Sequence, residues 1–310
     1  MVLSIQRGVA QFTLALALLG TALQVTAAPR TLDTANGPIT LEGQPQRVVT
    51  LDETALDVAL SVGIQPVGTL ATRGGTEVAP YLTEHLQDKI AIVGSVREPN
   101  LEAILRLKPD LILAPANFSA VFYDKLAKIA PTIQPKGSSL DTPWQDLSRV
   151  YAQALDQEAE LDLQLNKIAA ALQSYRQQQA APLNVSVLRW NPQGPIIMSS
   201  QLFAGQMLRE AGLNTIALAD RITDKPHSDT LSLENLAQAD GDWIFLATLN
   251  AEGQQALEQA KQQPAFQRLT AVKNNHLLAV DGQVWSTGSG PLAAQVVLQD
   301  LQRLADHAEH

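Results

Sequence analysis

Near the start of the chain, apolar residues follow two alternating patterns. Some form short continuous runs, and others recur at the spacing of a helix. The apolar runs at residues 47–51 and 66–70 predict two buried strands. Between them, Ala59 and Leu60 follow Leu56 by three and four positions, which predicts one face of a helix. Strand, helix and strand in this order favour parallel pairing with a right-handed crossover. The first part of the chain is therefore predicted to form an α/β unit.

A later stretch, residues 93–114 (VGSVREPNLEAILRLKPDLILA), joins a glycine turn, a short helix and an apolar strand. Residues 232–247 (SLENLAQADGDWIFLA) repeat the helix and the strand, with Glu234 in the position of Glu102 and a constant offset of 132 residues. In each copy an aspartate follows the glutamate by eight positions and opens the strand, namely Asp110 and Asp242. The repetition indicates one structural unit used twice, and hence two lobes.

Between the two units the apolar residues keep a helical spacing over an unusual length. Thr142 and Pro143 form a helix start signal, and neither glycine nor proline interrupts the chain again before Pro182. About 38 residues of helix extend more than ~50 Å, which is too long for a helix inside one small domain. We predict an interdomain helix with a bend near Asp156, and a helical hairpin is the alternative.

The predicted fold is α/β, with two lobes of parallel-type sheets flanked by helices and a long rigid helix that joins them. The predicted segments are a signal peptide at 1–27, an N-terminal lobe at 28–141, the interdomain helix at 142–181 and a C-terminal lobe at 182–310. A rigid connection of this kind permits only a small closure of the lobes around a ligand.

The N-terminal segment has the layout of a secretory signal peptide. Arg7 precedes an apolar run at 12–23, and small residues follow. The run is shorter than the roughly 20 apolar residues of a spanning helix, so we predict cleavage after Ala27, with an uncleaved membrane anchor as the alternative. The chain has no cysteine, hence no cysteine to carry a lipid and no disulfides. We therefore predict a protein free in a bacterial periplasm, and not a lipoprotein.

The net charge limits the partners. The chain has a formal charge of −9, which becomes −10 once Arg7 is removed with the signal peptide. Such a charge disfavours nucleic acid and anionic lipid, so that any anionic ligand must meet local arginine or lysine side chains. We expect a monomer that binds no nucleic acid.

Motifs for catalysis or direct metal binding are missing from the sequence. It contains no GxSxG, no P-loop and no GxGxxG after a strand, and the lack of cysteine excludes thiol catalysis. Its five histidines show neither HExxH nor HxH spacing. We therefore predict no catalytic residues and no metal site. The alternative is an enzyme for a small periplasmic substrate, with a nucleophile and a base within hydrogen-bonding reach in its cleft.

Glu102 and Glu234 each follow a helix cap residue, Asn100 or Ser232, by two positions. A carboxylate in the first turn of a helix complements the helix dipole, which explains one such residue without any function. A matched pair with one member in each lobe predicts more, namely two exposed carboxylates that grip a partner with two basic patches.

Aromatic and basic residues near the ends of predicted strands form a second set of candidates. A cleft between lobes needs aromatic walls for apolar contact, and arginine suits anionic oxygens because its guanidinium group is bidentate. The loop around Trp285 is rich in glycine, serine and threonine, whereas Trp243 lies in an apolar run and is expected in the core. The candidates for ligand binding are Arg73, Arg97, Phe118, Trp190, Gln201 and Trp285.

With these motifs the sequence resembles the periplasmic binding proteins of iron-siderophore and vitamin B12 ABC importers. The resemblance covers nearly the whole chain after the signal peptide, through PQRVVTLDETALDVALSVGIQPVG, the two repeated stretches and the turn at Val284 and Trp285. Its most specific part is 94–110, where the run PNLE and the stop KPD occur together. Among subfamilies the sequence is most similar to binders of hydroxamate or citrate-type ferric complexes.

The resemblance implies roles for several residues. Glu102 and Glu234 match the carboxylates with which such proteins dock onto arginines of the membrane permease. Phe118 lies where a hydroxamate binder carries a ligand-contacting tyrosine, and Trp285 matches an aromatic residue of the cleft. Two departures concern the ligand: Val96 stands where the ligand-facing arginine usually lies, with Arg97 after it, and the Pro226-His227 region replaces a cleft tryptophan.

The function implied is capture of a ferric siderophore and its delivery to the inner-membrane permease of an ABC importer. Iron is held by the siderophore, so no cofactor and no protein ligands to the metal are expected. Haem or cobalamin is the alternative ligand within the same class of importers.

Overall fold

A computed structural model describes residues 29–308 of the chain. The predicted signal peptide at 1–27 lies outside the described residues. The described chain begins with an antiparallel hairpin of β1 (Arg30–Thr34) and β2 (Gly37–Leu41). None of the helices in this part of the chain combines the length and the apolar character that crossing a lipid bilayer requires.

The first lobe contains a six-stranded sheet flanked by helices. Its strands are β3 (Val48–Thr50), β4 (Gly68–Ala71), β5 (Ala91–Ser95), β6 (Glu98–Pro99), β7 (Leu111–Leu113) and β8 (Thr132–Ile133). They lie in the order β6-β5-β4-β3-β7-β8, and only β5 and β6 pair in antiparallel fashion. β3, β4 and β7 are buried along their whole length, as is typical of parallel strands with both faces covered. The helices are α1 (Glu53–Ser61), α2 (Pro80–Thr83), α3 (Leu101–Arg106) and α4 (Ala120–Leu126).

The predicted interdomain helix consists of two helices, α5 (Trp144–Leu155) and α6 (Glu158–Gln178). They separate at Asp156, whose φ of 60° places it in the left-handed region, a conformation that aspartate tolerates better than most residues. The long connecting helix of the fold is thus α6, which extends about 31 Å at 1.5 Å per residue. The division of the chain at 141 and 181 stays a prediction.

The second lobe contains a five-stranded sheet. Its strands are β9 (Asn184–Asn191), β10 (Gly194–Ile197), β11 (Asn214–Thr215), β12 (Trp243–Thr248) and β13 (Leu277–Asp281). The order is β10-β9-β12-β13, with β11 parallel to the first residues of β9. The helical elements are α7 (Phe203–Glu210), α8 (Ala217–Arg221), a 3-10 helix (Leu233–Ala239), α9 (Ala251–Lys261), α10 (Pro264–Gln267), α11 (Thr270–Lys273), α12 (Gly282–Ser286) and α13 (Pro291–Ala308). The second copy of the repeat therefore forms a 3-10 helix where the first copy forms α3.

The two repeated aspartates have the same structural role. The carboxylate of Asp110 accepts hydrogen bonds from the backbone N–H groups of Gln46 and Arg47, at 2.8 and 2.9 Å. The carboxylate of Asp242 accepts one from the N–H of Asn184, at 2.7 Å. Each aspartate thus fixes the start of the neighbouring parallel strand, β3 or β9, which explains why the residue recurs at the same place in both lobes.

The largest hydrophobic cluster extends through both lobes. It includes Leu56 of α1, Tyr151 of α5, Leu165 of α6, Phe245 of β12 and Val297 of α13. Two smaller clusters lie on the outer faces of the two sheets. The last helix, α13, packs against α6 and also against α1 of the first lobe. The lobes therefore share a close-packed core, which restricts their relative motion.

Candidate functional site

A cleft with a volume of about 350 Å³ lies between the lobes. Its wall in the first lobe comes from the segments that follow β3, β4, β7 and β8, and its wall in the second lobe from the end of β9, the start of α7 and the loop after α12. Trp144, Leu147 and Tyr151 of α5 line it as well. Ligands of open α/β sheets bind beyond the carboxyl ends of parallel strands, which is where this cleft lies.

Two arginines supply positive charge to the cleft. Arg189, near the end of β9, is only 8% exposed, and among the described residues no hydrogen-bond partner meets its Nε. Its Nη1 lies 3.4 Å from the hydroxyl of Ser286. Burial, together with the charge of Arg73, lowers the pKa of Arg189 to about 10, so the side chain remains a cation at neutral pH. Within residues 29–308 neither arginine forms an ion pair with a carboxylate.

Neutral polar groups complete the walls around this charge. Hydroxyl groups come from two segments, Ser138–Thr142 after β8 and Ser286–Ser289, which begins at the last residue of α12. His227 also lines the cleft, and its Nδ1 lies 2.8 Å from the carbonyl oxygen of Ser228. Since a carbonyl oxygen only accepts, Nδ1 carries a proton. The cleft therefore presents cations and hydroxyl groups, the donors that anionic oxygen atoms require.

The aromatic side chains at the cleft are held by contacts of their own. Trp285 stacks on Phe245 at 4.3 Å between ring centroids, and its indole N–H donates to Asp300 at 2.7 Å. The hydroxyl group of Tyr151 donates to the carboxylate of Asp52 at 2.9 Å. Trp285 is 1% exposed, so it is a fixed part of the cleft wall.

Residues 48–284 match the sequence profile of the family described as periplasmic binding protein. The chain belongs to this family. Its members bind substrates and are not enzymes as a class. Homologues of the chain are siderophore-binding and ferric-citrate-binding components of ABC importers.

Three proteins illustrate the likeness of this periplasmic binding protein to its relatives. The "Probable siderophore-binding lipoprotein YfiY" of Bacillus subtilis is 30% identical over 273 residues, 84% of this chain and 83% of that one. The Fe(3+) dicitrate-binding periplasmic protein FecB of Escherichia coli is 25% identical over 279 residues, 89% and 90% of the two chains. SirA of Staphylococcus aureus, solved with staphyloferrin B, superposes with a TM-score of 0.76 at 26% identity and covers 90% of this chain and 98% of its own. The predicted family and fold are thereby confirmed.

The relatives correct the predicted location. YhfQ and YfiY of Bacillus subtilis are both named as lipoproteins, which contradicts the prediction of a protein free in a periplasm and not a lipoprotein. That prediction was drawn from a missing residue type, cysteine, and a missing residue type does not identify a compartment. The comparisons support a binding role on the outer side of the cytoplasmic membrane.

The structure brings two of the six residues predicted to bind ligand to the cleft, Arg73 and Trp285. Arg97 is exposed and lines neither the cleft nor the smaller cavity beside it, whereas the preceding Val96 lines the smaller cavity. Gln201 lies outside the cleft as well, next to the lining residue Leu202. Val96 is 46% exposed, so it borders the smaller cavity from the surface of the protein.

The two remaining candidates, Phe118 and Trp190, do not line the cleft, and their role in ligand binding stays a prediction. Phe118 packs against Phe122, with 5.9 Å between ring centroids, and against the outer hydrophobic cluster of the first lobe. Trp190 is 3% exposed and packs against Phe266 on the outer face of the second sheet. Successive side chains of a strand point to opposite faces, so Trp190 lies in the core because Arg189 faces the cleft. Arg189 is the residue that the sequence reasoning missed, and its signal was a charge at the end of a buried strand.

Glu102 and Glu234 are both exposed in the first turn of their helices. The side chain of Asn100 caps α3 by accepting a hydrogen bond from the N–H of Ala103 at 3.0 Å, so Glu102 is not needed as the cap. Ser232 makes no such side-chain bond. Neither glutamate forms an ion pair within the described part of the chain. Their role in docking stays a prediction.

Direct binding of a metal by the protein finds no support in the described residues. Among residues 29–308, histidine, aspartate and glutamate side chains nowhere gather in a group of three or more that could hold a metal ion. The cleft offers hydrogen-bond donors from arginine, serine and threonine side chains instead.

Proposed function

We propose that this protein captures a ferric siderophore with anionic oxygens and delivers it to the permease of an ABC importer. The observation that carries the proposal is the buried guanidinium group of Arg189 in the interlobe cleft, near Arg73, which has no counter-charge within residues 29–308. A buried cation without a partner is unfavourable in the free protein, and a carboxylate or other anionic oxygen removes that cost on binding.

The proposed ligand complex keeps its iron within the siderophore. Arg73 and Arg189 meet the anionic oxygens, hydroxyl groups such as that of Ser286 donate further hydrogen bonds, and Trp285 supports the organic part from below. The names of FecB, for Fe(3+) dicitrate, and of SirA with staphyloferrin B support a ligand of this class.

A titration followed by tryptophan fluorescence tests the proposal. Ferric citrate, a ferric catecholate, a neutral ferric hydroxamate, haem and cobalamin are added to the purified protein. We expect an anionic ferric complex to bind with Kd below about 10 μM, a free energy of about 7 kcal/mol, and to bind more weakly as salt increases. Tight binding of haem or cobalamin alone contradicts the siderophore assignment.

The double substitution of Glu102 and Glu234 by alanine tests delivery separately from capture. We expect uptake of iron to fall at least tenfold, because interfacial charge pairs contribute about 1.5 kcal/mol or more each, while the Kd for the siderophore changes less than about twofold. The measurements are radioactive iron uptake by cells that rely on this binding protein and calorimetry of the purified variant.

The matched control for this prediction replaces two other exposed glutamates, Glu42 and Glu252. One precedes the long helix in the sequence and the other follows it. The control carries the same change of net charge, so it is expected to retain uptake within about twofold. If both double variants lose uptake equally, overall charge explains the loss and the docking proposal fails. A loss of siderophore affinity places the two glutamates in the fold or the cleft instead.

A further inference from the structure

A second cavity of about 170 Å³ adjoins the interlobe cleft in the first lobe. The residues that line both spaces are Asp52, Arg73, Pro115, Asn117 and Thr287. Its walls are mostly apolar and come from Leu56, Leu70, Val78 and Leu82. The volume exceeds several-fold the ~30 Å³ that one water molecule occupies in the liquid. A ligand seated in the cleft therefore has an apolar side chamber within its reach.

Glu53, in the first turn of α1, supplies the carboxyl group of this chamber. Its Oε2 accepts a hydrogen bond from the hydroxyl of Thr72 at 2.8 Å. Its Oε1 is fully buried and meets no hydrogen-bond partner among the described residues. A buried oxygen without a partner is destabilising by about 1–3 kcal/mol, so a donor that reaches it is favoured.

The hydroxyl of Thr72 lies between two acceptor oxygens, one of Glu53 and one of Gln283. The hydroxyl of Thr72 lies 2.8 Å from Glu53 and 3.0 Å from Oε1 of Gln283 but has only one hydrogen to donate. Gln283 is fixed with its amide N–H on the carbonyl of Arg73 at 3.0 Å, so its oxygen faces Thr72. While Glu53 is ionised, the hydroxyl of Thr72 therefore satisfies only one of the two oxygens at a time. A proton on Glu53 would let the carboxyl group donate to Thr72, so that both contacts could form.

The charges around Glu53 agree with that protonation state. Burial raises the pKa of Glu53 to about 7, with further contributions from Asp52 and Asp281, opposed by the Thr72 hydrogen bond and by Arg73. Asp52 and Arg73 line the chamber together with Glu53. The other titratable groups that interact with Glu53 are Asp57, Tyr81 and Asp281. The chamber is thus acidic at one end and continues into a cleft that carries two arginines.

We infer that the side chamber receives an alkyl arm of the siderophore that ends in a primary amine, whose ammonium group pairs with Glu53. This inference rests on the proposed function, because the anionic part of the same ligand lies against Arg73 and Arg189. On binding, the carboxyl group of Glu53 releases its proton to solvent and the ammonium group replaces that proton. The charge within the chamber is then unchanged, which avoids an unpaired buried ion.

A matched pair of synthetic ligands tests the inference. One is the ferric complex of citrate amidated with putrescine, which leaves one free amine, and the other is the same complex with that amine acetylated. We expect the free amine to bind about tenfold more tightly to the unaltered protein, measured by calorimetry. In Glu53→Gln the ratio of the two Kd values, acetylated ligand over free amine, is expected to fall below about twofold. In the exposed control Glu77→Gln the tenfold ratio is expected to persist.

The pH dependence gives a second readout that needs no variant. The carboxylate form of Glu53 increases as pH rises through about 7, while the amine stays protonated below its own pKa of about 10. The preference for the free amine is therefore expected to grow several-fold between pH 6 and pH 8. Equal binding of the two ligands at both pH values, with ferric citrate still bound, overturns the inference alone. Failure of every ferric complex to bind overturns the proposed function itself.

Discussion

Replacement of Arg189 by methionine is expected to weaken the binding of ferric citrate roughly 30- to 1,000-fold. The side chain is a buried cation that lines the cleft and lacks an ion-pair partner within residues 29–308, so an anionic ligand supplies its first close counter-charge. Loss of one member of a buried charge pair costs about 2–4 kcal/mol of binding free energy, from which the range follows. Methionine keeps the length of the side chain but not its charge.

The stability of Arg189→Met distinguishes this explanation from damage to the fold. We expect its Tm to equal or exceed that of the unaltered protein, because the substitution removes a buried charge without a partner. Arg97→Met makes the same change of charge at an exposed position outside the cleft and is expected to change Kd less than about twofold. A loss of affinity in Arg97→Met with none in Arg189→Met reverses the assignment and returns the ligand to the glycine turn.

The architecture could be predicted because its signals repeat and are local. The matched glutamates and aspartates at 102, 110, 234 and 242 indicated two related lobes, and the structure shows why the aspartates recur, since each fixes the start of a parallel strand. The separation of α5 from α6 was harder to predict. Aspartate also occurs inside helices, and only the left-handed backbone at Asp156 shows that the helix stops there.

The site could be predicted only in part, because its side chains depend on which face of a strand meets the cleft. The run from Asn184 to Asn191 is buried on both faces, so its pattern does not show that Arg189 rather than Trp190 faces the cleft. The position of Glu53 beside a cavity could not be predicted for another reason. Polar residues such as Asp52 and Glu53 at the start of a helix are readily explained by capping. In the structure Asp52 accepts a hydrogen bond from Tyr151, and Glu53 lines a cavity that no local pattern reveals.

The buried carboxyl group of Asp57 links helix α1 of the first lobe to the last helix, α13. Asp57 of α1 is fully buried, and its two oxygens accept hydrogen bonds from the backbone N–H groups of Leu292 and Ala293, both at 2.8 Å. These are first-turn groups of α13, which have no partner within their own helix. A Cβ atom at Gly290 would lie 2.5 Å from the carboxyl carbon of Asp57, so the close approach requires glycine. The loop that carries Thr287 and lines the cleft leads directly into this junction.

Replacement of Asp57 by alanine is expected to lower the free energy of unfolding by about 3–5 kcal/mol, measured by urea denaturation. Two buried N–H groups lose their acceptor, and a cavity too small to hydrate them fully takes its place. The control Asp124→Ala, at an exposed position in α4, is expected to change stability by less than about 0.5 kcal/mol. Asp57→Asn keeps one acceptor oxygen, so its loss of free energy of unfolding is expected to lie between those of Asp57→Ala and Asp124→Ala.

The dependence of this stability on pH shows which form of Asp57 the fold prefers. Burial, opposed by the N–H groups of Leu292 and Ala293, raises the pKa of Asp57 from 3.8 to about 8. The folded state then holds the proton more tightly than the unfolded chain, so the contribution is present at low pH and is lost as pH rises through about 8. The stability of the unaltered protein relative to Asp57→Asn is therefore expected to decrease between pH 6 and pH 9. An increase in relative stability over that range contradicts this prediction. It means that the two N–H groups lower the pKa of Asp57 more than burial raises it, and that an ionised carboxylate caps α13.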